Sequence, residues 1–251
     1  MSLQYEKEPE QIERRGDVRQ SSPVFPLYSI ILIAGLVAVS LAQYAVDGAN
    51  AVILGGGESV LLAGFIKPAF AAGQYWRILT GAVLHGGLIH LLFNCYALFV
   101  LGKLIETLSN RAHLAIVFLL AAIGGGVLSL IFLPDGVSVG ASGGIVGFLG
   151  YLAAYGFLRR KLLPPSFLKN MLFNIGFIAL YGVLLNQTID NFGHLGGLLA
   201  GALYGFLQIP RDLYEDPRKV GAAAEFGGYA ATLIFIFTGI FSILLLLKIV
   251  E

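Results

Sequence analysis

Apolar residues along this chain come in long runs rather than alternating at a period of two, and short polar, basic or glycine-rich stretches separate the runs. A helix needs roughly 20 apolar residues to cross the hydrocarbon core of a bilayer. Seven segments reach or approach that length: 27–46, 88–108, 114–133, 142–158, 168–185, 192–209 and 226–250. The third, fourth and sixth are rich in glycine, which membrane helices tolerate where close backbone approach replaces side-chain packing. The pattern predicts an all-α polytopic membrane protein. It divides into a polar tail at 1–26, a core at 27–209 with a long loop at 47–87, a linker at 210–225, and a seventh helix with a short tail at 226–251.

Composition sharpens this picture. Hydrophobic residues make up 57% of the 251 positions and charged residues 12%, about half the charge expected of a soluble domain. Mean hydropathy is +0.82. The first 26 residues are polar and mixed in charge, and the apolar run after them is long enough to span rather than to be a signal-peptide core. A net charge of +1 gives no case for nucleic acid, and the single cysteine, Cys95, cannot form an internal disulfide.

Basic residues set the expected orientation, because Lys and Arg collect on the cytoplasmic side. With a cytoplasmic N-terminus, 13 of the 16 fall inside: Lys7, Arg14, Arg15, Arg19, Lys103, Arg111, Arg159, Arg160, Lys161, Lys169, Arg211, Arg218 and Lys219. Only Lys67, Arg77 and Lys248 fall outside. Spans two, four and six then all run from outside to inside. His90 and Asn94, Ser142, and His194 lie in their first turns and gather at one depth below the outer surface. The loop at 47–87 mixes apolar and polar residues, among them Tyr75-Trp76-Arg77. It reads either as a partly embedded folded hairpin, with Trp and Tyr at the headgroup level, or as an ordinary ordered loop.

Polar side chains in a membrane are costly, so these need a reason. An isolated serine there ordinarily bonds back to the backbone or joins helices. Ser142, however, is flanked by Gly140, Ala141, Gly143 and Gly144, which leave its hydroxyl open to a carbonyl. Its place at a helix start also supplies free N–H groups that favour developing negative charge. His194 is the candidate base, since a neutral imidazole can take the serine proton and return it to a leaving amine. The alternative is a histidine bonded to a loop carbonyl. The small-residue stripes Gly197-x-x-x-Gly201-x-x-x-Gly205 and Gly143, Gly147, Gly150 would pack spans six and four closely enough to join the two side chains. His90 and Asn94, four apart on one helix face, suit either an oxyanion site or polar glue between helices. His85 turns off that face and is expected to brace the loop. None of the outer acids, Asp47, Glu58, Asp135 and Asp190, lies inside a span. A Ser–His dyad is therefore the economical reading, with Asp190 the weaker option as an orienting group.

Taken together, these residues resemble the rhomboid intramembrane serine proteases. The likeness covers the six spans from Leu27 to about Ile209 and rests on motifs in order: Trp76-Arg77, His85-x-x-x-x-His90-x-x-x-Asn94, Gly140-Ala141-Ser142-Gly143 and His194-x-x-Gly197. It implies a six-helix rhomboid core with a seventh C-terminal transmembrane helix. It also implies Ser142 as nucleophile, His194 as general base, and His90, Asn94 and backbone N–H groups at Ser142 and Gly143 as the oxyanion hole. Glu106 matches a structural position of the family. One departure is Val146, where many members carry an aromatic ring stacked on the histidine.

The expected activity is serine-type endoproteolysis of transmembrane segments, single-span or other, near the outer leaflet, without metal or cofactor. A transporter would normally present a mid-membrane carboxylate, and the spans offer only Glu106 near an inner end. A non-catalytic helix-binding scaffold would need only the glycine stripes. No His-Glu-x-x-His occurs for a zinc protease, and no span holds an Asp for an aspartyl one. The compact tails point to a prokaryotic plasma membrane, with an organelle membrane as the alternative. Substrate, cleavage motif and oligomeric state are not legible.

Overall fold

A computed structural model of the chain describes residues 25–185 and 188–250. Most of the expected tail at 1–26 lies outside the described residues. Ten helices and a two-stranded ribbon follow in order among them: α1 (Leu27–Leu54), α2 (Glu58–Ala63), β1 (Phe65–Ile66), α3 (Lys67–Ala71), α4 (Arg77–Thr80), α5 (Leu88–Leu108), α6 (Arg111–Phe132), β2 (Val137–Ser138), α7 (Ser142–Leu158), α8 (Pro165–Leu184), α9 (Asn191–Gln208) and α10 (Ala222–Leu246). Five helices, α1, α5, α6, α8 and α10, are long and apolar enough to cross a membrane. The protein is a multi-pass membrane protein.

Two of the helices outside that set, α7 and α9, explain much of the architecture. At about 1.5 Å per residue, the 17 residues of α7 reach roughly 25 Å, short of a hydrocarbon core of about 30 Å. Short, glycine-rich α7 is held by its neighbours rather than by lipid. Phe148, Leu149, Tyr151 and Leu152 are almost fully buried on it. Along one flank, a Cβ on Gly197 would strike the Gly143 carbonyl and one on Gly201 the Gly147 carbonyl, so α9 lies directly against the α7 backbone. Along the other, Gly147 faces Ala121 of α6, while Gly196 of α9 meets the Gly124 carbonyl. The α6–α7–α9 trio forms the centre, and glycine is the only residue that fits these crossings.

Element ends differ from expectation where a local rule overrode hydropathy. The first helix runs to Leu54 rather than 46, because Gly48, at φ 71°, lets two helical segments join across a kink. The third starts three residues early at Arg111, where the Asn110 side chain accepts from the Ala112 N–H at 2.8 Å. The fifth starts at Pro165, a residue suited to a first turn. The seventh helix, α10, is shifted toward the N-terminus. It packs with Phe235 edge-on to Phe118 of α6 at 5.7 Å and lies against Gly35 of α1.

Glu106, 5% exposed, fixes α1 to α5 at the end of the bundle away from Ser142. Its carboxylate accepts from the Ser29 N–H at 2.9 Å, the Ser29 hydroxyl at 2.7 Å and the Tyr28 N–H at 3.3 Å. It thereby satisfies first-turn donors of α1 that would otherwise be buried and unpaired. Glu106→Ala is expected to cost about 2–4 kcal/mol, read as an earlier unfolding transition in detergent micelles, with Glu106→Gln losing less. An Ala variant as stable as the native chain would contradict this role.

The segment between α1 and α5 is folded into short helices and one strand, and that strand pairs outside the segment rather than closing a hairpin within it. β1 pairs antiparallel with β2, Phe65 opposite Ser138 and Ile66 opposite Val137. Buried Arg77 donates to the Gly64 carbonyl at 2.8 Å and the Leu61 carbonyl at 3.0 Å. Its guanidinium also lies over the Trp76 ring at 4.6 Å, and Trp76 packs edge-on against Phe241 of α10 at 5.5 Å. Arg77 thus ties the segment together, and Trp76 anchors it to α10.

Candidate active site

Ser142 is the first residue of α7, and no side chain among the described residues caps the helix there, so its first N–H groups remain available. The turn into it requires glycine. Gly140 has φ +126°, and a Cβ there would stand 2.6 Å from Cε1 of His90. Its N–H donates to the Gly81 carbonyl at 2.9 Å, which pins the turn to the folded segment. His194, in the first turn of α9, places Nε2 at 2.9 Å from the Ser142 hydroxyl. Its Nδ1 has no hydrogen-bond partner among the described residues.

His90 sits over the Gly140 turn, and the Asn94 side-chain amide donates to the His90 carbonyl at 3.1 Å. Asn94 is therefore folded back on its own helix in this state. His85 is braced from α1 by a residue absent from the sequence reasoning. Gln43 accepts from the His85 N–H at 2.9 Å and donates to its carbonyl at 3.1 Å. The His85 ring meets the His90 ring edge-on at 5.3 Å, and neither His85 ring nitrogen is hydrogen-bonded among the described residues. A cavity of about 60 Å³ adjoins Ser142 and His194, lined also by Ile78, Ser138, Gly140 and Asp190. That volume holds a few water molecules.

Burial, with the neighbouring His90 adding to it, pushes His85 down to about 3. The folded state therefore binds the proton less well than the unfolded chain. Stability from this group is full above the ordinary value of about 6.5 and falls as pH drops from there toward 3. The thermal midpoint in micelles should decline with acid over this window, and His85→Gln should flatten the decline. An unchanged slope would contradict the assignment.

Asp190 does not touch the imidazole, so it is not an orienting third member in the direct sense. It caps α9, its carboxylate accepting from the Gly193 N–H at 2.8 Å while its carbonyl accepts from the His194 N–H at 3.0 Å. Its other oxygen accepts from the hydroxyls of Ser129 and Ser138 and lies 3.8 Å from Nζ of Lys67. Lys67 is 1% exposed, and burial lowers its affinity for the proton while Asp190 opposes that shift. Sequence reasoning passed over Lys67, Ser129 and Ser138. The available signal was a lysine isolated on the expected outer side and a serine four residues before Ser142. Among the described residues no group of three or more His, Cys, Asp or Glu side chains is placed to hold a metal.

The fold and this site define a class: a helical membrane protein with a serine and a histidine joined at two closely packed helix starts. A Rhomboid domain profile matches residues 72–211, more than half of the sequence, and the chain belongs to the rhomboid family. It is 31% identical to RHOMBOID-like protein 6, mitochondrial, of Arabidopsis thaliana, over 65% of this chain and 53% of that protein. It is 37% identical to rhomboid protease GluP of Bacillus subtilis, over 52% of this chain and 25% of that protein. To putative rhomboid protease YdcA of the same species it is 32% identical, over 56% of this chain and 71% of that protein. The chain thus spans about half the length of the first of these relatives and a quarter of the second.

Proposed function

We propose that this protein is a serine-type intramembrane endopeptidase that cleaves transmembrane segments with a Ser142–His194 dyad. The observation that carries the reading is the 2.9 Å hydrogen bond between the Ser142 hydroxyl and His194 Nε2, made at uncapped helix N–H groups. The family membership and the protease names of two relatives support it.

In this mechanism a substrate helix reaches the site laterally past α8. That helix buries only Met171 and Gly182 among its residues and is the most loosely held of the seven long ones. The substrate must unwind locally, because helical carbonyls are bonded and shielded. Ser142 Oγ attacks the scissile carbonyl as its proton passes to Nε2. The N–H groups of Ser142 and Gly143, with His90 and Asn94 once its amide turns from the His90 carbonyl, stabilise the oxyanion. Collapse expels the amine, which takes the proton from His194. Water from the adjoining cavity then attacks the acyl-enzyme as His194 accepts its proton, and the adduct collapses by breaking the bond to Ser142 Oγ, which takes that proton back as the acid product leaves. The chain is read as lying in a prokaryotic plasma membrane with its N-terminus cytoplasmic and this site below the outer face, because the basic residues gather at the other end. No cofactor enters the scheme.

The test uses full-length protein in liposomes with single-span substrates. Substrates with Gly or Pro near the outer end of the span should be cut there, and an all-leucine span should resist. Equal cleavage of both, or cuts confined to the inner half, would overturn the reading.

A further inference from the structure

We infer that Asp190 is a positioning residue for the Ser142–His194 pair, acting through a buried clamp with Lys67, Ser129 and Ser138. The inference rests on the proposed dyad. Four segments converge on one carboxylate: α3 through Lys67, α6 through Ser129, β2 through Ser138, and α9 through the Gly193 N–H. Two of them lead straight to the reacting atoms. Ser138 lies four residues before Ser142, on a strand tied to β1 and followed by the pinned Gly140 turn. Gly193 directly precedes His194, whose own N–H is held by the Asp190 carbonyl.

The histidine has little else to fix it. Its Nδ1 has no hydrogen-bond partner among the described residues. The 2.9 Å spacing is therefore set through the two backbones, which the α7–α9 glycine crossing brings together and the clamp ties at their N-terminal ends. Lys67, at 1% exposure and 2.6 Å from the Ser138 hydroxyl, gives the clamp its cohesion. A buried charge stripped of its partner is strongly destabilising, so neither member relaxes independently.

The experiment measures cleavage kinetics and the rate of fluorophosphonate labelling of Ser142 in reconstituted full-length protein. It compares Asp190→Asn, Lys67→Met and the double variant. Asp190→Asn keeps an acceptor for the Gly193 N–H but strands the Lys67 charge. It should lower kcat and the labelling rate together, by roughly tenfold to a hundredfold, with KM within about twofold of the native value. The double variant, with neither charge stranded, should recover part of that loss. Ser138→Ala strands no charge and tests the clamp even if Asp190→Asn does not fold; it should slow labelling about threefold or more. Unchanged labelling in every folded variant, a rise in KM alone, or additive losses in the double variant would overturn the inference. Absence of labelling at Ser142 in the native chain would instead overturn the dyad itself, so the two failures are distinguishable.

Discussion

Ser142→Ala is expected to abolish cleavage of a single-span substrate, a loss of at least about 10⁴-fold, while expression, membrane insertion and thermal midpoint stay near native. The expectation follows from the small size of the change. Ser142 makes one side-chain hydrogen bond, to His194, and its neighbourhood is glycine and alanine. Removing the hydroxyl opens no large cavity and uncaps no helix, since α7 has no side-chain cap to lose. All the loss should fall on chemistry. Quantifying product by gel over a long incubation, alongside a melting curve, separates this from misfolding. Residual cleavage at the same bond would mean that another group is the nucleophile.

Gly201→Val is expected to have the second largest effect, and on both stability and activity. A Cβ at Gly201 would collide with the Gly147 carbonyl, and backbone cannot swing aside as a flexible side chain can. The two helices must part. Overpacking of this kind costs about 1–3 kcal/mol, and the separation propagates to Ser142 and His194 at the ends of the same two helices. Displacements near 1 Å reduce rates on the order of 100-fold. Gly176→Val on α8, where nothing among the described residues lies within 4 Å, is the control for stability and should leave the thermal midpoint unchanged. An active Gly201→Val protein of native stability would show that the crossing does not set the pair.

Much of this architecture was written in local pattern. The second and fourth spans begin and end in the structure at Leu88, Leu108, Ser142 and Leu158, because each starts after a glycine-rich turn that a continuous apolar run cannot disguise. The four-residue stripe at Gly197, Gly201 and Gly205 signalled a close crossing, and that crossing brings Ser142 to His194. What stayed hidden was whatever depends on distant pairing. Two-residue strands carry no detectable period, so β1 and β2 left no trace. Lys67 meets Ser138 and Asp190 from 71 and 123 positions away, and only the fold assembles such a cluster. Gln43 is a polar residue on an apolar helix whose partner, the His85 backbone, lies 42 positions away. Glu106 was placed at a helix end through a family likeness, and its bonds to the start of α1 supply the physical reason.

The most direct measurement is to treat the native protein in liposomes with a fluorophosphonate, locate the adduct by mass spectrometry, and repeat with His194→Ala. The account predicts one adduct, on Ser142, and its loss when the imidazole is removed. An adduct on another serine, or undiminished labelling of Ser142 without His194, would contradict it.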